Sequence, residues 1–286
     1  KSRHHSKPLV QWNCCMRRII TPMGCCEEGA MSQSELSLDK ERSKFVLWKK
    51  IRHRAGRRKL GILWLLLDPI VTSLVYLFVF LVVRSTPSAQ SLFIGISMFR
   101  IFNEAITTGV GSVQDFTGGL KSERVRTRVL TNSNVSFRVL DSFLQSVGVA
   151  LILLFGFSAS FSGVISYLII CQILGIVADG FGQNFSLMVR RTPDLFNLIN
   201  YFLLLMFFGS PVLYPMSKMS GLHYTINEYN PLSYFIELSR YLMDLDSEIM
   251  NLDPILGWLL IFGVIAAAIR GFLRLDEVRW RVSSWS

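Results

Sequence analysis

The chain has 286 residues, 51% of them hydrophobic and only 17% charged, with a mean hydropathy of +0.40 and a net charge of +10 at pH 7. A soluble domain carries about 25% charge, so this composition excludes an ordinary water-soluble globule. The excess of positive charge would suit a nucleic-acid partner, but the basic residues fall in clumps between apolar runs, where they act as signals of membrane topology.

Residues 1–30 stand apart from the rest. They hold two cysteine pairs, Cys14/Cys15 and Cys25/Cys26, with His4 and His5 nearby. The C-x-x-C spacing of a zinc site is missing, and no apolar core is long enough for a signal peptide. The segment is read as a disordered leader before Met31, with no metal site. Residues 31–60 are expected to form an amphipathic helix on the inner membrane surface, with Leu36, Phe45, Trp48 and Ile51 on its apolar side.

Six stretches then reach or approach the roughly 20 apolar residues of a helical span. They are 61–83, 91–113, 139–157, 164–187, 195–213 and a short one at 255–269. None alternates polar and apolar as a barrel strand would. The expected fold is an all-α membrane protein with a six-span domain at 61–274 and a cytoplasmic tail at 275–286.

The charges set the orientation. Lys49, Lys50, Arg52, His53, Arg54, Arg57, Arg58 and Lys59 precede the first span. Lys121, Arg124, Arg126, Arg128 and Arg138 lie between the second and third. Arg190 and Arg191 lie between the fourth and fifth, and Arg270, Arg274, Arg279 and Arg281 follow the sixth. The other connectors hold few basic residues. This alternation places both termini in the cytoplasm, in a multi-pass protein of the inner membrane.

Charge inside the apolar stretches marks candidate sites. Asp68, followed by Pro69, interrupts the first span, where the proline bends the helix and the carboxylate needs water or a partner. Arg100 and Glu104 share one face of the second span. Intramembrane ions usually face a cavity, so these three residues are candidates for a polar pathway. Phe78, Phe99 and Phe102 are candidates for its aromatic surface. Neutralisation of the ions among themselves, or with Asp179, is the structural alternative. Glu237 and Arg240, three apart, suit a salt bridge on an outer helix.

Enzyme signatures are scarce. There is no G-x-x-x-x-G-K-[ST] phosphate loop, no H-E-x-x-H and no G-x-S-x-G. Only "DLD", Asp244 to Asp246, resembles an acidic metal-binding pair, which keeps open a second class: a membrane-embedded enzyme that modifies glycans.

The stretch "RRKLGILWLLLDPI" leads a basic run into Leu-Gly-x-x-Trp and then an acid before proline. "FFGSPVLYP" closes the fifth span, and "NPLSYFIELSR" follows in the outer segment. In this order and spacing they resemble the permeases of ABC-2-type exporters of polysaccharides such as capsule, O-antigen or teichoic acid. The resemblance covers about residues 31–274.

It implies a half-transporter without catalytic residues or a cofactor of its own. Two copies would form the pore, and two separate ATPase subunits would bind ATP and magnesium. The connector at 122–133, with Glu123, Arg124, Arg126 and Arg128, would couple to the ATPase. Ser210, Pro211, Tyr214, Pro215, Asn230, Pro231, Glu237 and Arg240 would form an outer gate of short re-entrant helices. The cargo would be a lipid-linked polysaccharide. Export of a drug or small lipid is the alternative within the same family.

Overall fold

A computed structural model describes residues 33–55, 63–83, 88–112 and 127–283. Among these residues the chain is helical, with no strand. It divides into two compact units, Lys1–Glu41 and Arg42–Ser286. The described part of the first unit is the opening of helix α1 (Gln33–Ala55), where Leu38 is exposed.

The second unit contains the rest of α1, then α2 (Leu63–Val83), α3 (Ala89–Gly111), α4 (Thr127–Gly156), α5 (Phe161–Gln183), α6 (Ser186–Arg191) and α7 (Asp194–Gly209). A 3-10 turn at Met216–Lys218 and two short helices, α8 (Leu222–Glu228) and α9 (Pro231–Tyr241), lead to the long α10 (Pro254–Ser283). Within the described residues, 131–156, 161–183 and 254–273 are long and apolar enough to cross a membrane; α7 is apolar but has only 16 residues.

Helix α5 is central, packing against α3, α10 and α4. Close approach of backbones explains its small residues. A Cβ at Gly109 of α3 would collide with the carbonyl oxygen of Asp179 on α5. A Cβ at Gly271 of α10 would collide with that of Gly180. Such spacing is how helices pack where lipid removes the hydrophobic drive between them. The main core joins Leu92, Ile96, Ile101, Leu153, Tyr167 and Ile236, all at most 2% exposed.

Several expected boundaries move. The third apolar stretch was expected from 139, with Arg138 in the connector before it. Instead α4 begins at Thr127, and Arg138 is buried inside the bundle at 1% exposure. Its partners on three helices, described below, make that position tenable. The fifth stretch was expected to reach 213, but α7 ends at Gly209 because Ser210, before Pro211, takes an extended backbone (φ −92°, ψ 165°). The sixth, expected at 255–269, lies within the apolar 254–273 stretch of α10, and the helix itself continues to Ser283, carrying Arg270, Arg274, Arg279 and Arg281.

On α1, Phe45 and Trp48 are exposed and Ile51 is half-buried, while Val46 turns inward. The Ser43 hydroxyl donates to the carbonyl of Val129 on α4 at 3.1 Å, and the Lys50 ammonium bonds Asn134 Oδ1. These contacts brace the first turns of α4.

Candidate functional site

Two charged clusters stand apart in the bundle. The first lies at the middle of α3 and α4, against the first half of α2 and the last turns of α5. Asp68 of α2 pairs with Arg100 of α3, whose other terminal nitrogen donates to the Thr72 hydroxyl at 2.9 Å. Arg100 also lies 3.7 Å from Glu104, one turn along its own helix. The side chains of Arg100 and Glu104 are each 22% exposed and that of Asp68 36%.

The sequence suggested an Arg100–Glu104 pair with Asp68 separate. The structure brings all three together, with Asp68 the nearer partner of Arg100. Asp179 lies 4.0 Å from Arg138 on α4.

The aromatic candidates separate. Phe78 on α2 is exposed. Phe99 is buried and packs edge-on against Phe207 of α7, with ring centroids 5.0 Å apart. Phe102 is half-buried, 6.2 Å from the Phe99 ring.

Behind Glu104 the cluster continues into residues that sequence inspection had missed. Gln145 of α4 donates to Glu104 Oε2 at 2.7 Å and to Asp141 Oδ2 at 3.1 Å. Arg138 donates to that same Asp141 oxygen at 3.0 Å and to the main-chain carbonyl of Glu104 at 3.2 Å. Gln183 donates to Asp179 Oδ2 at 3.0 Å, which closes the series on α5. A polar chain thus crosses α2, α3, α4 and α5. The available signal was the Arg138–Asp141–Gln145 spacing, which puts these residues on one helical face.

The second cluster explains the "FFGSPVLYP" and "NPLSYFIELSR" motifs. Asn230 caps α9, accepting from the Leu232 amide at 3.1 Å, and Pro231 occupies the first turn, where a missing N–H costs nothing. The Asn230 amide donates to the Ser210 hydroxyl at 2.9 Å, tying the second motif to the first. Asn227 donates to Gly209 O at 2.7 Å and accepts from the Ser233 hydroxyl at 3.1 Å. Pro211 ends α7, Tyr214 meets the His223 ring edge-on, and Pro215 precedes the 3-10 turn.

Beneath them Glu237 and Arg240 pair at 2.8 Å, both side chains 0% exposed. The expected salt bridge is present but fully buried. Glu237 also accepts from the amides of Met216 at 3.2 Å and Glu248 at 3.0 Å. Arg240 also donates to the carbonyls of Ser91 at 3.3 Å and Val212 at 3.2 Å. Burial pulls the Arg240 guanidinium below its ordinary pKa, and Glu237 beside it offsets part of that fall.

Of the coupling candidates, Glu123, Arg124 and Arg126 lie outside the described residues, and Arg128 stands in the first turn of α4. The "DLD" carboxylates have separate surroundings. Asp246 accepts from the Ser217 hydroxyl at 2.7 Å, whereas Asp244, with a left-handed φ of 55°, lines a cavity with Gln90, Phe157, Ser158 and Ser160. Among the described residues no three His, Cys, Asp or Glu side chains gather as a metal site would require.

Two Escherichia coli relatives, each named polysialic acid transport protein KpsM, are both 22% identical over 219 residues, which span 73% of this chain and 84% of theirs. The family model of the ABC-2 type transporter matches residues 42–243, from within α1 to the residues just past α9. The chain therefore belongs to the ABC-2 type transporter family, as a transport subunit of the membrane.

Proposed function

We propose that this chain is the permease half of an ATP-driven exporter that carries a lipid-linked polysaccharide from the cytoplasmic to the outer side of the membrane. It crosses the membrane six times with both termini inside. It pairs with a second copy, and two ATPase subunits bind ATP and magnesium at the cytoplasmic face. The relatives are named for transport of polysialic acid, which supports a glycan as the cargo class.

The observation that carries this reading is the partly exposed Asp68–Arg100–Glu104 cluster. An ion facing hydrocarbon costs about 2.5–3.5 kcal/mol on the insertion scale. Three ions left partly open on helices of a membrane subunit are accounted for by a water-lined route. A polar polymer would move past their hydrogen-bonding groups, with Phe78 offering an apolar surface to sugar rings. Phe99, buried against Phe207 of α7 and next to Phe102, holds the helix that carries Arg100 in place. At the outer end, Ser210, Pro211, Tyr214, Pro215, Asn230, Pro231, Glu237 and Arg240 build a gate whose short helices dip back toward the membrane. Glu123, Arg124, Arg126 and Arg128 meet the ATPase.

The test uses single cysteines at 100 and 104 in the assembled exporter, with a charged, membrane-impermeant thiol reagent. Reaction in at least one transport state is expected. Inertness in every state, together with normal export by Asp68→Asn and Glu104→Gln, would rule out a pathway role.

A further inference from the structure

We propose that Arg138 is the positioning residue through which helix α4 links the ATPase-facing end of the bundle to the Asp68–Arg100–Glu104 cluster. The inference rests on the permease reading above and deepens it by naming the mechanical connection.

The coupling segment expected at 122–133 includes the first turns of α4, since the helix already begins at Thr127. From there to Arg138 is 11 residues of continuous helix, about 16 Å at 1.5 Å per residue. A push or rotation applied to the start of α4 reaches Arg138 with little loss, because no proline or other helix breaker intervenes. The Ser43 and Lys50 contacts from α1 hold that same first stretch at Val129 and Asn134.

Arg138 is the point at which α4 grips its neighbours. One terminal nitrogen holds Asp141 and the other holds the main-chain carbonyl of Glu104, while Nε faces Asp179 on α5. Gln145 repeats the connection from α4 to Glu104 through the side chain. When α4 shifts against α3, therefore, it either drags Glu104 with it or breaks these bonds. Dragging α3 carries Arg100 along with Glu104 and moves both against Asp68 of α2, whereas breaking the Gln145 bond releases the Glu104 carboxylate, which lies 3.7 Å from Arg100 on the same helix. That separation leaves room for the pair to tighten in a second arrangement.

A buried ionic network is weak evidence for stability, because desolvation offsets much of the attraction, and it is better attested as a device for register or switching. Only a planar guanidinium can direct separate N–H groups at three such partners; a lysine offers one point charge.

The experiment uses inverted membrane vesicles that contain the full chain with its ATPase partner. Thr108→Cys serves as reporter: Thr108 is exposed, one turn past Glu104, and its hydroxyl donates to the Glu104 carbonyl at 2.7 Å. Labelling at position 108 by a water-soluble maleimide is followed by mass spectrometry, with and without Mg-ATP.

In the parent, Mg-ATP is expected to change the labelling rate by about fivefold or more, the lower end of ordinary coupling between sites. Arg138→Lys and Gln145→Leu should each bring this response below about twofold while ATP hydrolysis remains within about twofold of the parent. Should Arg138→Lys fail to insert, Gln145→Leu decides alone. A parent-like response in the inserted variants would overturn the inference, as would loss of ATP hydrolysis together with the response, which would make the network a matter of assembly. An unresponsive parent would instead overturn the permease reading, and the inference with it.

Discussion

Removal of the Glu237 carboxylate should destabilise the end of the bundle around α9 more than any exposed substitution. The Glu237–Arg240 pair is wholly buried, and besides the bond within the pair five hydrogen bonds to these two residues fasten the α7–α8 segment and the chain after α9 to the start of α3. Glu237→Ala leaves a buried guanidinium without its counter-charge and orphans the amides of Met216 and Glu248. Breaking a buried pair in this way costs about 3–5 kcal/mol. At about 2–4 °C per kcal/mol for a chain of this order of size, the unfolding midpoint should fall by about 6–20 °C. The assay is thermal unfolding in detergent of a chain whose Cys14, Cys15, Cys25 and Cys26 are replaced by serine, followed by a thiol dye reporting the buried Cys171. Glu237→Ala with Arg240→Met should recover part of the loss, since no buried ion then remains. A fall of less than about 2 °C for the single variant, or a double variant worse than the sum of the singles, would refute this account.

Three further outcomes follow from particular contacts. Gly95→Ala should lower the unfolding midpoint by several degrees in the same assay, because its Cβ would strike the Val212 carbonyl and stand 3.1 Å from Arg240 Nη2. Tyr234→Phe should cost about 1 kcal/mol near neutral pH through loss of the bond to the Glu228 carbonyl. Burial first, and then the Glu228 carboxylate, raise the Tyr234 phenol above 10.0, so its contribution is present below that pH and fades as pH rises through the higher folded value; a pH series of unfolding midpoints should therefore be flatter above pH 10 in the phenylalanine variant. Charge reversal at both Arg124 and Arg126 should reduce co-purification of the ATPase without affecting membrane insertion, and unchanged binding would place the docking segment elsewhere.

The half of this arrangement around α9 was legible because its motifs carry local physics. Ser-Pro forces an extended residue and ends α7, and Asn-Pro supplies a helix cap with a proline at the first turn. What the sequence could not display was depth. The three-residue spacing of Glu237 and Arg240 announces a pair but not that both are sealed from solvent, which depends on carbonyls of Ser91 and Val212 brought from elsewhere in the chain.

The first cluster was half legible. Arg100 and Glu104 are conspicuous in an apolar run, and so is Asp68, but their convergence is a tertiary fact. Arg138 was misplaced for a definite reason. A hydropathy window ends a span at a charged residue, whereas a helix continues through it when its own Asp141, with Asp179 and the Glu104 carbonyl from facing helices, surrounds the charge. The same rule shortened α10, whose arginines lie on a helix that runs to Ser283.

The central claim, that this chain is the conduit for a glycan driven by a separate ATPase, is tested most directly by reconstitution. The purified chain, with and without its ATPase, would be placed in liposomes preloaded on the ATPase-accessible side with a lipid-linked polysaccharide, and the glycan would be scored on the opposite side with an impermeant lectin. The account predicts translocation only when the ATPase and Mg-ATP are both present, and no ATP hydrolysis by the isolated chain, which contains no phosphate loop. ATP hydrolysis by the isolated chain, or no translocation from an assembled complex that hydrolyses ATP, would contradict it.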